Sequence, residues 1–103
     1  YDGYKFDSKL EAARYKQLKL MASAGELSHL ELQPKYPCEV NGKKICTYIA
    51  DFRYQLKNGD TVVEDVKGVE TAVFKLKKKL VESLYPGVKI QIVKNPRFFV
   101  VSG

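Results

Sequence analysis

Three ionisable residues sit where a β-strand ordinarily carries hydrocarbon. Asp51 interrupts the run Thr47-Tyr48-Ile49-Ala50-Asp51-Phe52-Arg53-Tyr54, and Asp65 and Lys67 end the run Thr61-Val62-Val63-Glu64-Asp65-Val66-Lys67. Aromatic and β-branched residues dominate both runs, so both read as strands. Side chains two apart on a strand share a face, which places Asp65 and Lys67 side by side. An acid and an ammonium on a mostly apolar strand carry a desolvation cost unless something uses them. A divalent metal and a phosphate would.

Phosphodiester hydrolysis is the chemistry such a set suits. The attacking water must lose a proton, the charge developing at phosphorus must be stabilised, and the leaving oxygen must be neutralised. Magnesium serves all three needs when one or two carboxylates hold it and several positions stay with water. A lysine beside the metal can orient or deprotonate that water, because a nearby cation lowers the ammonium pKa. The arrangement makes a demand on strand register. A two-residue loop at Asn58-Gly59 would pair Asp51 with Val66 and send the two aspartates to opposite faces. A three-residue loop, Lys57-Asn58-Gly59 with Gly59 left-handed, sets Asp51 across from Asp65. A shared metal therefore requires the odd-length loop or an equivalent bulge.

The elements around these residues follow from periodicity and punctuation. After a lead-in, Tyr1 to Phe6, the sequence Ser8-Lys9-Leu10-Glu11 fits a capping box and opens a helix over about 8–24, with Gly25 as its stop. Leu10, Ala13, Leu20, Met21 and Ala24 fall near one face, which Gln17 interrupts. His29 to Val40 alternates loosely, and Pro34 and Pro37 make it an edge or bulged strand. Asn41-Gly42 is a hairpin tip. Ile45 to Leu56 reads as the first central strand and Thr61 to Lys67 as the next. A second helix spans Thr71 to Leu84, its apolar stripe drawn by Val73, Leu76, Leu80 and Leu84. Strands at Val88–Val93 and Phe98–Val101 follow. The predicted order is α-β-β-β-α-β-β: one α/β domain, residues 1–103, with a mixed sheet flanked by helices.

Composition bounds the partners. The 103 residues are 45% hydrophobic and 29% charged, which marks a folded chain. No apolar run approaches the ~20 residues of a membrane span, and no signal-peptide pattern is visible. The net charge of +6 favours a polyanionic partner, general solubility being the other reading. Lys75, Lys77, Lys78 and Lys79, with Lys43, Lys44 and Lys67, are positioned to meet phosphates; a solvated helix face is the alternative. Tyr4, Tyr15, Tyr36 and Tyr54 suit base stacking or packing. Cys38, Cys46 and His29 lack metal-site spacing, so the thiols are expected to be reduced and buried in a cytoplasmic protein, and His29 to lie on the surface or a strand edge.

Asp51, then Asp65-Val66-Lys67 at the end of the next strand, then a helix, resembles the PD-(D/E)XK nuclease superfamily. The stretches Phe6-Asp7-Ser8-Lys9-Leu10-Glu11-Ala12, Leu32-Gln33-Pro34 and Tyr48-Ile49-Ala50-Asp51-Phe52 are similar to its small phage-encoded branch, within a wider group that includes Holliday-junction resolvases and the transposon endonuclease TnsA. Ala50 stands where the pattern has proline, which has no chemical role. The resemblance implies a restriction-endonuclease-like αβββαβ core with an extra C-terminal strand. It implies Asp51, Asp65 and the Val66 carbonyl as ligands of Mg2+ or Mn2+, Lys67 as the catalytic lysine, and Glu11 as an auxiliary carboxylate. Lys75, Lys78, Lys79, Lys43 and Lys44 would contact DNA; Gln33 has a structural role or, less favoured, lines the site from the edge strand. The implied activity is that of a metal-dependent endodeoxyribonuclease, structure-selective on branched or duplex DNA, phage-associated and working in the host-cell cytoplasm. Symmetrical cutting of two strands would call for a homodimer, with the strand near Tyr36 as its interface.

Blander roles stay open beside these. Glu11 is also placed to cap its helix, Asp65 and Lys67 also read as a weak surface ion pair, and Glu64 offers a shifted motif on the opposite strand face. From another functional class, a non-catalytic DNA-binding or interaction module would retain the same fold.

Overall fold

The computed structural model describes residues 8–94; the expected lead-in and the Phe98–Val101 strand lie outside them. The elements run α1 (Lys9–Ser23), β1 (Leu27–Leu32), β2 (Lys35–Val40), β3 (Lys43–Ile49), β4 (Phe52–Leu56), β5 (Thr61–Val66), α2 (Ala72–Leu84) and β6 (Ile90–Val93). Four strands form a mixed sheet in the order β1-β4-β5-β6, and β2 and β3 pair as a separate hairpin. With the hairpin lifted out, the main sheet and helices follow the order α-β-β-β-α-β.

Two expected strands are each split in two. His29–Val40 breaks at Gln33-Pro34 into β1 and β2, and Ile45–Leu56 breaks at Ala50-Asp51 into β3 and β4. The chain leaves the main sheet at the first break and returns at the second. The crossings are stitched together: the Gln33 N–H donates to the Asp51 carbonyl at 2.9 Å, and the Ala50 N–H to the Pro34 carbonyl at 3.1 Å. Gln33 turns its corner with φ of 53°, a left-handed conformation costly for a residue bearing a Cβ. Ala50 is fully buried, and a larger side chain would force the two sheets apart.

The expected β4–β5 register is observed. Phe52 pairs with Glu64 and Gln55 with Thr61, and the loop between Leu56 and Asp60 has three residues. Gly59 takes φ of 92° in that loop. At the other end, the Asp51 N–H donates to the Glu64 carbonyl at 3.1 Å. β6 joins β5 in parallel after the α2 crossover.

Ser8 caps α1 as expected and Thr71 caps α2, but both helices face inward differently from the expected stripes. Ser8 Oγ accepts the Glu11 N–H at 3.1 Å. Beyond Ala24, Gly25 and Glu26 return N–H groups to Ala22 and Met21 in a Schellman arrangement. Tyr15 and Leu18 are the buried residues of α1, while Leu20 is 72% exposed. The inward stripe runs Glu11, Arg14, Tyr15, Leu18 and Met21, and its two charged members hid it from a hydrophobic count. On α2, Phe74 and Val81 are buried, whereas Val73 and Leu76 are exposed at 62% and 68%. The true stripe is turned by roughly one residue, so Lys77 and Lys78 are half-buried.

Two cores result. Tyr15, Leu18, Phe52, Tyr54 and Val66 pack between α1 and the sheet. Tyr36, Cys38, Tyr48, Val63, Phe74 and Val81 pack among hairpin, sheet and α2. β5 is therefore covered on both faces, and both of its acids, Glu64 and Asp65, are buried.

Candidate active site

The end of β5, the β3–β4 crossing and the first turn of α1 meet at a cleft of about 520 Å³ lined by Ser8, Leu10, Glu11, Gln33, Ile49, Asp51, Val66, Lys67 and Gly68. Helix capping fixes Glu11 there: the Ser8 cap sets the first turn of α1, and Glu11 lies on its inward stripe. The Glu11 N–H completes the cap, while its carboxylate adds to the rise at Asp51.

Asp51 reaches back along β5, and its Oδ2 accepts the Val66 N–H at 2.7 Å. Burial pushes its carboxyl up to about 6; the Val66 N–H and Asp65 oppose the rise, and Glu11 adds to it. Asp65 lies beneath the cleft and is 1% exposed. Burial pushes Asp65 up to about 6 as well, against the Tyr48 hydroxyl and the Lys67 charge, with Asp51 contributing to the rise. The two carboxyls interact, so both values belong to the pair. An acid pair that resists full ionisation is a pair that a cation would relieve.

Lys67 Nζ stands 3.3 Å from Asp65 Oδ1 and 4.8 Å from the centre of the Phe74 ring. The other oxygen, Oδ2, accepts the Tyr48 hydroxyl, delivered from the hairpin. Burial raises the Tyr48 pKa, and Asp65 raises it further, so the phenol remains a donor. The Asp65–Lys67 pair is not the solvated surface pair of the blander reading, because its acid is buried.

Glu64 points to the other face. Arg14 clamps it from α1 with two bonds, Nε to Oε1 at 2.8 Å and an η nitrogen to Oε2 at 2.6 Å, and the Tyr54 hydroxyl donates to it as well. Arg14 also donates to Gln17 at 2.9 Å. Glu64 is thus structural, and the shifted motif built on it does not reach the cleft. Tyr48 and Arg14 were not singled out from the sequence. Arg14 carried a signal, standing three residues after Glu11 on the same helical face; Tyr48 carried none, since its partner lies in another sheet.

The lysines divide. Lys75 and Lys79 are exposed on α2. Lys78 is held by Glu82 at 3.2 Å, and Glu82 also accepts the Ile90 N–H, so Lys78 belongs to a brace between α2 and β6. Lys43 and Lys44 sit at the hairpin tip, the far end of β3 from Ile49, about 20 Å away by strand rise. Tyr15, Tyr36 and Tyr54 are buried and offer no base-stacking face. Tyr36 packs edge-on against Tyr85 and accepts from Arg53, so it is core rather than an exposed interface. His29 is exposed on the edge strand, as expected. Cys46 is half-buried rather than buried.

Among the described residues, no three His, Cys, Asp or Glu side chains are gathered so as to hold a metal ion by themselves. No described helix is long and apolar enough to cross a membrane. No curated protein and no solved structure matches the chain. The match to a known family spans residues 1–99, and the chain belongs to that family, described as Protein of unknown function (DUF1064).

Proposed function

We propose that the protein is a magnesium- or manganese-dependent endodeoxyribonuclease. The observation that carries this reading is the gathering of Asp51, Lys67 and Glu11 at one cleft with Asp65 buried beneath it against Lys67, both aspartates being pushed up mainly by burial. Asp51 and Asp65 would hold the cation with the Val66 carbonyl and water, which suits a hard ion that keeps several waters. Such an ion supplies a water of lowered pKa and neutralises phosphate charge. Lys67, half-exposed beside Asp65, orients the attacking water and moves its proton. Glu11 completes the acidic wall from α1, and Gln33 lines the rim with its backbone tied to Asp51. Lys75 and Lys79 contact phosphates on the neighbouring helix face, with Lys43 and Lys44 reaching more distant ones. The substrate is branched or duplex DNA, the acting form is a homodimer, and the setting is the host-cell cytoplasm of a phage infection.

A non-catalytic DNA-binding module draws on one observation: both Asp65 oxygens already have partners within the chain. Incubation of supercoiled, linear and four-way-junction DNA with protein and Mg2+ separates the two. The nuclease reading expects cleavage that Asp51→Ala and Lys67→Ala abolish. Binding without cleavage by the wild type on every substrate would leave the module.

A further inference from the structure

The inner face of the β2–β3 hairpin carries two thiols that the nuclease reading leaves unused. Cys38 and Cys46 are direct cross-strand partners, and both are reduced. Cys38 is fully buried, and Cys46 is half-buried at the edge of the same cluster. Burial raises the Cys38 pKa, and the Cys46 sulfur beside it raises it further, so the two sulfurs are neighbours in space as well as in register.

Proline sets the geometry of this pair. Pro37, the partner of Thr47, has no N–H, so that pair cannot exchange two backbone bonds. Ladder alternation then makes Cys38–Cys46 the bonded type, with Cα atoms about 5.5 Å apart. Disulfides span Cα separations of about 5.5–6 Å but want Cβ atoms at about 3.8 Å, closer than the ~4.5–5.5 Å of an ordinary cross-strand pair. Closing the bond therefore draws the two strands together locally, and the bulge after Cys38 supplies slack on one side only. That slack is Ile45 of β3, on the tip side, which leaves the strain on the side of Thr47 and Tyr48. Two residues along the same face of β3 stands Tyr48, whose hydroxyl holds Asp65.

We propose that Cys38 and Cys46 form a dithiol–disulfide modification site, and that closing it shifts Tyr48 away from Asp65. The second half rests on the nuclease reading for its effect on activity; the first does not. With glutathione disulfide as oxidant, the Cys46 thiolate attacks one glutathione sulfur and releases one glutathione thiolate. The Cys38 thiol then gives up its proton and attacks the Cys46 sulfur, displacing the second glutathione. The protein loses two hydrogens, the oxidant becomes two thiols, and the exchange is reversed by dithiothreitol.

The full chain, its Cys46→Ser variant and the cleavage-dead Asp51→Asn variant are each equilibrated with glutathione disulfide. Peptide mapping by mass spectrometry is expected to show the Cys38–Cys46 bridge in wild type and Asp51→Asn, and none in Cys46→Ser. The near-ultraviolet dichroism of the bridged protein should move towards that of reduced Tyr48→Phe. Cleavage of supercoiled DNA by the bridged wild type should fall at least threefold and return with dithiothreitol, while Cys46→Ser is indifferent to the oxidant. A stable glutathione adduct or an intermolecular dimer in place of the bridge would overturn the proposal, as would a bridge that leaves the tyrosine signal unchanged. If no DNA is cleaved in either redox state, the nuclease reading fails while the bridge and the tyrosine signal still decide the rest.

Discussion

Glu64 and Asp65 are adjacent in sequence, both buried, and held by opposite layers of the protein: Glu64 by Arg14 of α1, Asp65 by Tyr48 of the hairpin. One strand thus carries two buried acids back to back, one tied to α1 and the other to the hairpin and Lys67. The first fixes α1 against the sheet, and α1 in turn brings Glu11 to the cleft.

That division predicts unequal costs. Arg14→Met leaves the Glu64 carboxylate buried with only the Tyr54 hydroxyl, and an uncompensated buried charge typically costs about 3–5 kcal/mol. Urea unfolding should show a loss of that order. Arg14→Met with Glu64→Leu should recover most of it, because no charge is left stranded.

The aspartate pair predicts how stability depends on pH in the metal-free protein. Both carboxyls are raised in the folded state to about 6 from a reference value of 3.8. Their stabilising contribution is therefore complete below about pH 4 and lost as pH rises through about 6. One pKa unit corresponds to about 1.4 kcal/mol, so the loss for the coupled pair is on the order of a few kcal/mol. Denaturant melts at pH 5 and pH 7.5 should show the wild type losing more stability at the higher pH than Asp51→Asn does. Added Mn2+ should restore stability at pH 7.5 and do little at pH 5.

The loop that sets the register predicts a backbone effect. Gly59 has φ of 92° and open space where a Cβ would go, so Gly59→Ala meets strain without a clash. The expected cost is about 1 kcal/mol in urea unfolding. A cost near zero would mean that the loop relaxes to another form.

The orientation of α2 is checked by a pair of substitutions. Phe74→Ala should cost about 3–5 kcal/mol, whereas Leu76→Ser, at an exposed position, should stay within about 0.5 kcal/mol. The reverse order would restore the stripe that the sequence suggested.

Much of the architecture was written in local signals. The cap at Ser8, the stop at Gly25 and the tips at Asn41-Gly42 and Gly59 act over a few residues, and each is found where the sequence placed it. The three-residue loop is the length that a metal shared by Asp51 and Asp65 would demand. The misreadings share one cause, which is a long-range effect overriding a local pattern. Pro34 and Ala50 belong to corners where the chain changes sheet, and no local period marks a change of sheet. Arg14 lies on the inward face of α1 because it pairs with Glu64, buried across the domain, and Glu11 shares that face three residues earlier, so counting hydrocarbon missed it. Tyr48 became visible only once the hairpin was folded over β5.

The central claim is that Asp51 and Asp65 share one divalent cation. Crystals soaked in Mn2+ and measured at a wavelength where manganese scatters anomalously test it most directly. The account predicts one strong anomalous peak at bonding distance from an oxygen of each aspartate, absent in Asp51→Asn. A peak elsewhere, or none in crystals of a protein that still cleaves DNA, would contradict it.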